Sequence, residues 1–228
     1  MGALNLFRLL VAMPPIVIVA VVILQPFVDP RLLVLDPMVA AEVSGVCCRT
    51  YYGIVSTLGV FAWIATAVIC AFAFWILRRM NAPGRSQIFA LVAALFTAWL
   101  GFDDAFLLHE NLLPKLGVSQ TLILCSYVGL ATLYGFALLA GTMRPDLVLF
   151  ALSAIGLGGS LVIDLVLHST DSMIVAMEDG FKFVGICCWF GFHARLMVEA
   201  VIEAMQAPQS GRALMPARLR PIHVEPAP

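Results

Sequence analysis

Charge is what this chain has least of. Only 12% of its 228 residues are Asp, Glu, Lys or Arg, while 62% are hydrophobic; an ordinary soluble domain is about a quarter charged and about half apolar. That deficit, with a mean hydropathy of +1.00, excludes a soluble globular domain and implies an integral membrane protein. A basic excess is missing as well. The net charge is −1, so nothing in the composition recruits nucleic acid. No internal repeat of useful period is present. Cysteine forms no framework: Cys70, Cys125, Cys187 and Cys188 sit inside apolar runs and read as small packing residues. Cys47 and Cys48 lie in a loop, where they could pair with a partner or, through a strained ring, with each other.

What is there instead is a series of long apolar runs. A hydrocarbon core about 30 Å thick needs roughly 20 apolar residues per helix, and six segments qualify, near 9–28, 52–77, 86–108, 119–143, 147–168 and 179–202. Turn signals such as MNAPGRS and TMRPD separate them. The first resembles a signal peptide in shape, but no small-residue cleavage site follows QPFVDP, so it reads as an uncleaved anchor. Pro14 and Pro15 should kink it near its start. The expected fold is therefore all-α, a polytopic six-helix membrane domain over residues 1–205, followed by a disordered Pro-rich tail over 206–228.

Basic residues stay on the inner side of a membrane. Arg8, Arg78, Arg79, Arg85, Arg144, Arg212, Arg218 and Arg220 fall on one side of a six-span chain, against Arg31, Arg49, Lys115 and Lys182 on the other. Both termini are thus expected in the cytoplasm, the protein in the cell inner (plasma) membrane, its surroundings lipid and any other membrane subunits.

With that orientation the scarce ionisable groups gather at the outer side. Asp103, Asp104, His109 and Glu110 lie at the end of span 3, Asp164 and His168 at the end of span 5, and Glu178, Asp179 and Lys182 at the start of span 6. At 1.5 Å per residue, Asp103 stands about 27 Å from Arg85, Asp164 about 27 Å from Asp146, and Glu178 about 25 Å from Arg195. Three carboxylates on three helices come out at one depth. A buried charge costs about 2.5–3.5 kcal/mol on insertion scales, which makes such residues functional candidates. Helix ends are also where charges ordinarily sit, so depth alone decides little.

Facing adds a second constraint. Gly156, Ser160, Asp164 and His168 follow one another at i,i+4 and form a small-to-polar stripe that should point into the bundle. Asp103 and Glu110, seven apart, share a face; His109 lies about 120° away and joins them only if the helix bends or the cluster spans two faces. Glu178 and Lys182 are spaced for an ion pair.

Carboxylates crowded together repel, and a cation relieves them. His and carboxylate donors suit zinc, iron or manganese, so the sequence suggests a divalent metal, zinc foremost, held by His109, His168, Asp164 and Asp103. Asp103, Glu110 and Glu178 supply the candidate catalytic groups. A metal-activated water with a carboxylate base makes this a hydrolase acting on a lipid or lipid-linked substrate. The Ser160, Asp164, His168 stripe resembles that of membrane hydrolases related to alkaline ceramidases and adiponectin receptors. Those families use seven spans and an HxxxH pair on the last one. Here six spans are counted and Trp189 stands four before His193, so no family follows from it. His193 itself reads as a helix-end or packing residue, and loop 29–50 as long enough to cover the site. Two other classes compete: a structural or assembly subunit whose ion pairs merely cap the bundle, and a proton or cation transporter. The transporter is disfavoured by span middles with few polar groups.

Overall fold

A computed structural model describes residues 2–47, 49–139, 146–167 and 170–207, with the side chains of Glu110, Asn111 and Gln120 excepted. The chain forms helices α1 (Ala3–Leu24), α2 (Arg31–Val34), α3 (Pro37–Ser44), α4 (Ile54–Arg79), α5 (Gly84–Phe106), α6 (Leu113–Lys115), α7 (Gln120–Leu139), α8 (Leu147–Leu167) and α9 (Ser172–Gln206), with a π-helical turn over Leu108–Leu112. No strand occurs among the described residues. Six of these helices are long and apolar enough to cross a membrane, so the chain is an all-helical, multi-pass membrane protein.

Local chemistry sets the helix ends, and it moves two of them from where hydropathy put them. Asp171 caps α9 by accepting the backbone N–H groups of Met173 and Ile174 at 2.9 and 3.3 Å. Apolar content alone starts that helix at 179; the cap starts it at Ser172, so Glu178, Asp179 and Lys182 sit on regular helix rather than at its end. The first helix begins at Ala3 and runs unbroken through Pro14 and Pro15. The loop expected over 29–50 is largely helical: Asp36 caps α3, Pro37 opens it, and Gly45 closes it with φ 66°. The tail from 208 onward lies outside the described residues.

Lipid tails are as apolar as leucine, so helices in a membrane associate through close packing. The hub is α9, which packs against α8, α4 and α1, while α5 pairs with α4. Glycines set the approach. A Cβ at Gly156 would meet the Gly185 Cα at 2.6 Å, and one at Gly101 would meet the Trp63 Cβ at 2.9 Å. The stripe therefore faces α9 at Gly156, and Gly156 and Ser160 are buried; Asp164 is half-buried and His168 lies outside the described residues. By contrast α7 stands off. It approaches the π turn and reaches the bundle through Tyr134, whose ring meets those of Phe89, Phe96 and Trp189.

Candidate functional site

One end of the bundle carries Asp103, Asp104, Asp164, Glu178 and Asp179; at the other, Arg8 and Arg195 meet Asp146. At the acidic end the chain departs from what the sequence suggests. Leu107 adopts a left-handed conformation, φ 49°, and stops α5 at Phe106. A continuous helix would have put Asp103 and Glu110 on a shared face, and this break removes that face. It also turns the chain back, which brings His109 to Asp103. The His109 backbone N–H donates to Asp103 Oδ1 at 2.9 Å and the ring Nδ1 lies 2.6 Å from Oδ2. An ionised carboxylate only accepts, so Nδ1 is the protonated nitrogen. Asp103 is 5% exposed, and both its oxygens hold one histidine.

The neighbouring Asp104, 6% exposed, pairs with Lys182 and so ties α5 to α9. Lys182, spaced for an i,i+4 pair on its own helix, thus makes a pair between helices. Beside this pair Val34, Ser56, Asp104, Asp179 and Lys182 line a cavity of about 10 Å³, room for about one water. Because α2 supplies Val34, the 29–50 segment does cover this part of the site.

Asp164 and Glu178 are half-buried. His168 and the Glu110 side chain lie outside the described residues. Among the described residues, no three of His, Cys, Asp and Glu are grouped so as to hold a metal ion. What comes together is Asp103 with His109 and Asp104 with Lys182. Cys47 is in a disulfide, and Cys48 is outside the described residues.

Two polar clusters escaped the sequence reading. In the interior, His193 is fully buried. Its Nδ1 lies 2.9 Å from the Trp189 carbonyl, which only accepts; Nδ1 therefore carries the proton and Nε2 accepts from the Tyr134 hydroxyl at 2.6 Å. The Trp189 indole in turn donates to Thr97 Oγ1 at 3.1 Å. So the bundle interior is not short of polar groups: Thr97, Tyr134, Trp189 and His193 satisfy one another across α5, α7 and α9. His193 is a packing histidine, as its sequence position suggests, but with two specific partners. At the arginine end, Asp146 receives Arg8 at 2.9–3.0 Å and Arg195 at 2.9 Å. Burial alone would raise the Asp146 pKa, but hydrogen bonds from Arg8 and the Leu149 backbone and the charges of Arg8 and Arg195 bring it below the ordinary value of 3.8. A lone acidic residue at the arginine-rich boundary was the available signal; its partners were not.

A family model, Domain of unknown function (DUF8692), matches residues 9–196, which reaches all six long helices and takes in the clusters just described apart from Arg8. The chain belongs to that family. No curated protein and no solved structure matches it.

Proposed function

We propose that this DUF8692 member is a membrane hydrolase acting on a lipid or lipid-linked substrate at the outer headgroup level, with His109 as the general base and Asp103 as the residue that positions it. The observation that carries this reading is the double grip of Asp103 on His109, ring and backbone together. A carboxylate behind Nδ1 fixes the tautomer and favours the imidazolium that forms when Nε2 takes a proton. Lys182 provides a nearby cation, held by Asp104, to meet negative charge developing on the substrate. Glu178, one helical turn before Lys182, and Glu110, next to His109, are in sequence positions to orient the same substrate.

A divalent metal, zinc first, belongs to this proposal in altered form. Metal-bound histidines commonly donate their second ring N–H to a carboxylate, so Asp103 fits the role behind a ligand better than that of a ligand. In that form His109 Nε2 would hold the metal in place of acting as the base, with Asp164 and His168 as the further candidates. Its chemistry, when bound, would be activation of a water.

The orientation proposed is the one the basic residues favour, with both termini in the cytoplasm and the protein in the cell inner (plasma) membrane. Reporter fusions after Arg79 and after Gly117 then give opposite compartments; the same compartment for both overturns it. For the chemistry, fluorogenic long-chain ester, amide and phosphodiester lipids offered to purified protein test the reading. At least one should be turned over, and His109→Ala and Asp103→Asn should each reduce the rate about 100-fold or more, with Lys115→Ala unchanged. Metal content measured on protein purified without chelators decides the zinc part. Turnover of none of the three leaves the second reading, a structural cap or assembly subunit. That reading is favoured by one observation: Asp103 and Asp104 each have an internal partner already.

A further inference from the structure

Between α7 and α8 lies a chamber of about 540 Å³ that neither polar end of the molecule uses. It begins near the acidic end, at Leu124 and Tyr127 on α7 and Leu161 on α8, and ends toward the arginines at Leu139 and Phe150. From Leu124 to Leu139 is 15 residues, or about 22 Å of helix, and from Leu161 to Phe150 is 11 residues, or about 17 Å. Spread over that length, about 540 Å³ makes a slot narrower than a helix 10–12 Å across, so a transmembrane segment of another protein does not fit.

Its walls are mostly hydrocarbon and aromatic, because few polar atoms of the lining residues reach them. Thr132 Oγ1 donates to the Val128 carbonyl at 2.7 Å and the Trp189 indole to Thr97 at 3.1 Å. The Trp63 indole N–H and the Ser153 hydroxyl have no hydrogen-bond partner, but both atoms are too buried to face the slot. The α7 rim is open, with Val128 49% and Phe136 66% exposed, as expected where α7 stands off from the bundle. A void of this kind in a membrane protein forfeits packing contacts unless something apolar fills it. The outer end is not featureless: the Tyr127 ring lies edge-on to His109, centroids 6.2 Å apart.

We propose that this slot is a binding site for a single alkyl or isoprenoid tail, entering sideways between α7 and α8, with the polar end of the lipid held at the Tyr127–His109 end. Only the placement of that polar end rests on the hydrolase reading; the seat for the tail stands on the shape and chemistry of the slot. The occupant is elongated because the slot is, apolar because its walls are, and single because about 540 Å³ over about 20 Å of helix leaves a cross-section of roughly 27 Å², room for one extended chain.

The test uses full-length protein in phosphatidylcholine nanodiscs and a hexadecanoic acid probe carrying a diazirine in its tail, with labelled positions mapped by peptide mass spectrometry. Label should concentrate on slot positions of α7 and α8 and be suppressed by excess unlabelled hexadecanoic acid. Gly158→Phe should reduce it at least fivefold. A Cβ at Gly158 meets nothing within 4 Å, so the ring can fill the slot without forcing helices apart; Ala131→Phe fills it from α7 should the first variant fold poorly. Ile155→Phe, on the same helix but off the slot, should change nothing. Label spread evenly over the lipid-facing surfaces, indifferent to competitor, or undiminished in both filling variants overturns the proposal. His109→Ala separates the two claims: retained tail labelling with lost turnover supports both, and retained labelling where no substrate is turned over leaves the tail site standing without the hydrolase. Loss of labelling in His109→Ala overturns a tail seat that is independent of the polar pair.

Discussion

The two polar ends of the bundle hold carboxylates of equal burial in opposite ways. Asp146, at the arginine end, is met by two guanidinium groups from two different helices, which saturate its oxygens with permanent charge. Asp103, at the acidic end, is met by one imidazole and one backbone N–H from its own neighbourhood. A guanidinium does not give up its proton in a protein; an imidazole does so near neutrality. The first arrangement holds helices together, whereas the second presents the group that would move a proton in the proposed hydrolase. Burial and residue type are the same, and the partner decides the role.

Breaking the arginine end should produce the largest effect on stability. Asp146→Ala leaves Arg8 without its carboxylate and Arg195 with Glu199 alone, and should cost about 3 kcal/mol, read as a lowered unfolding midpoint in detergent. Asp146→Asn should be nearly as damaging if charge rather than shape is what matters. The pH dependence sharpens the same point. The folded pKa of Asp146 is depressed below 3.8, so its stabilisation is fully present above that ordinary value and disappears as pH falls through the lower folded value. Wild-type protein should therefore lose stability below about pH 4 more steeply than Asp146→Ala, as thermal unfolding across pH will check.

Between the ends, Tyr134→Phe should have the next largest effect. It strips the donor from a fully buried His193 Nε2 and should cost about 1–2 kcal/mol, measured by the same unfolding assay. Asp103→Asn should be the mildest of the set in stability, about 1 kcal/mol, since the loop it holds is short and partly open. Its effect on turnover should be the greatest. If Asp103→Asn proves as destabilising as Asp146→Ala, the contrast between holding and proton transfer fails.

The parts of this molecule that were legible in its sequence are those governed by one helix at a time. Long apolar runs separated by Pro, Gly and Arg define six spans, and the Gly156–Ser160 stripe shows which side of α8 turns inward. Relations between helices were harder. Arg8 and Asp146 are 138 residues apart, and Tyr134 and His193 are 59 apart; no pattern along the chain announces either. The break at Leu107 was hidden for a different reason. The run AFLLHENLLPK has a helix-compatible composition, and a leucine gives no sign that it will take a left-handed torsion. Yet that torsion assembles the Asp103–His109 pair, so the most chemically suggestive contact depended on the least predictable residue.

Sequence distance also sets the order in which these contacts can exist. The ring of chain closed by Asp103 and His109 spans only six residues, and its closure entropy is correspondingly small. It can form as soon as the end of α5 has been made, before α8 or α9 is present. The arginine staple needs residues 8, 146 and 195 at once, so it closes only when nearly the whole chain is in the membrane. Contacts that close late bind the finished bundle as one unit, while a local pair records nothing about whether assembly has succeeded. The acidic end can thus acquire its histidine clamp before there is a bundle around it, whereas the arginine end can fasten only once residues 8, 146 and 195 are all in place.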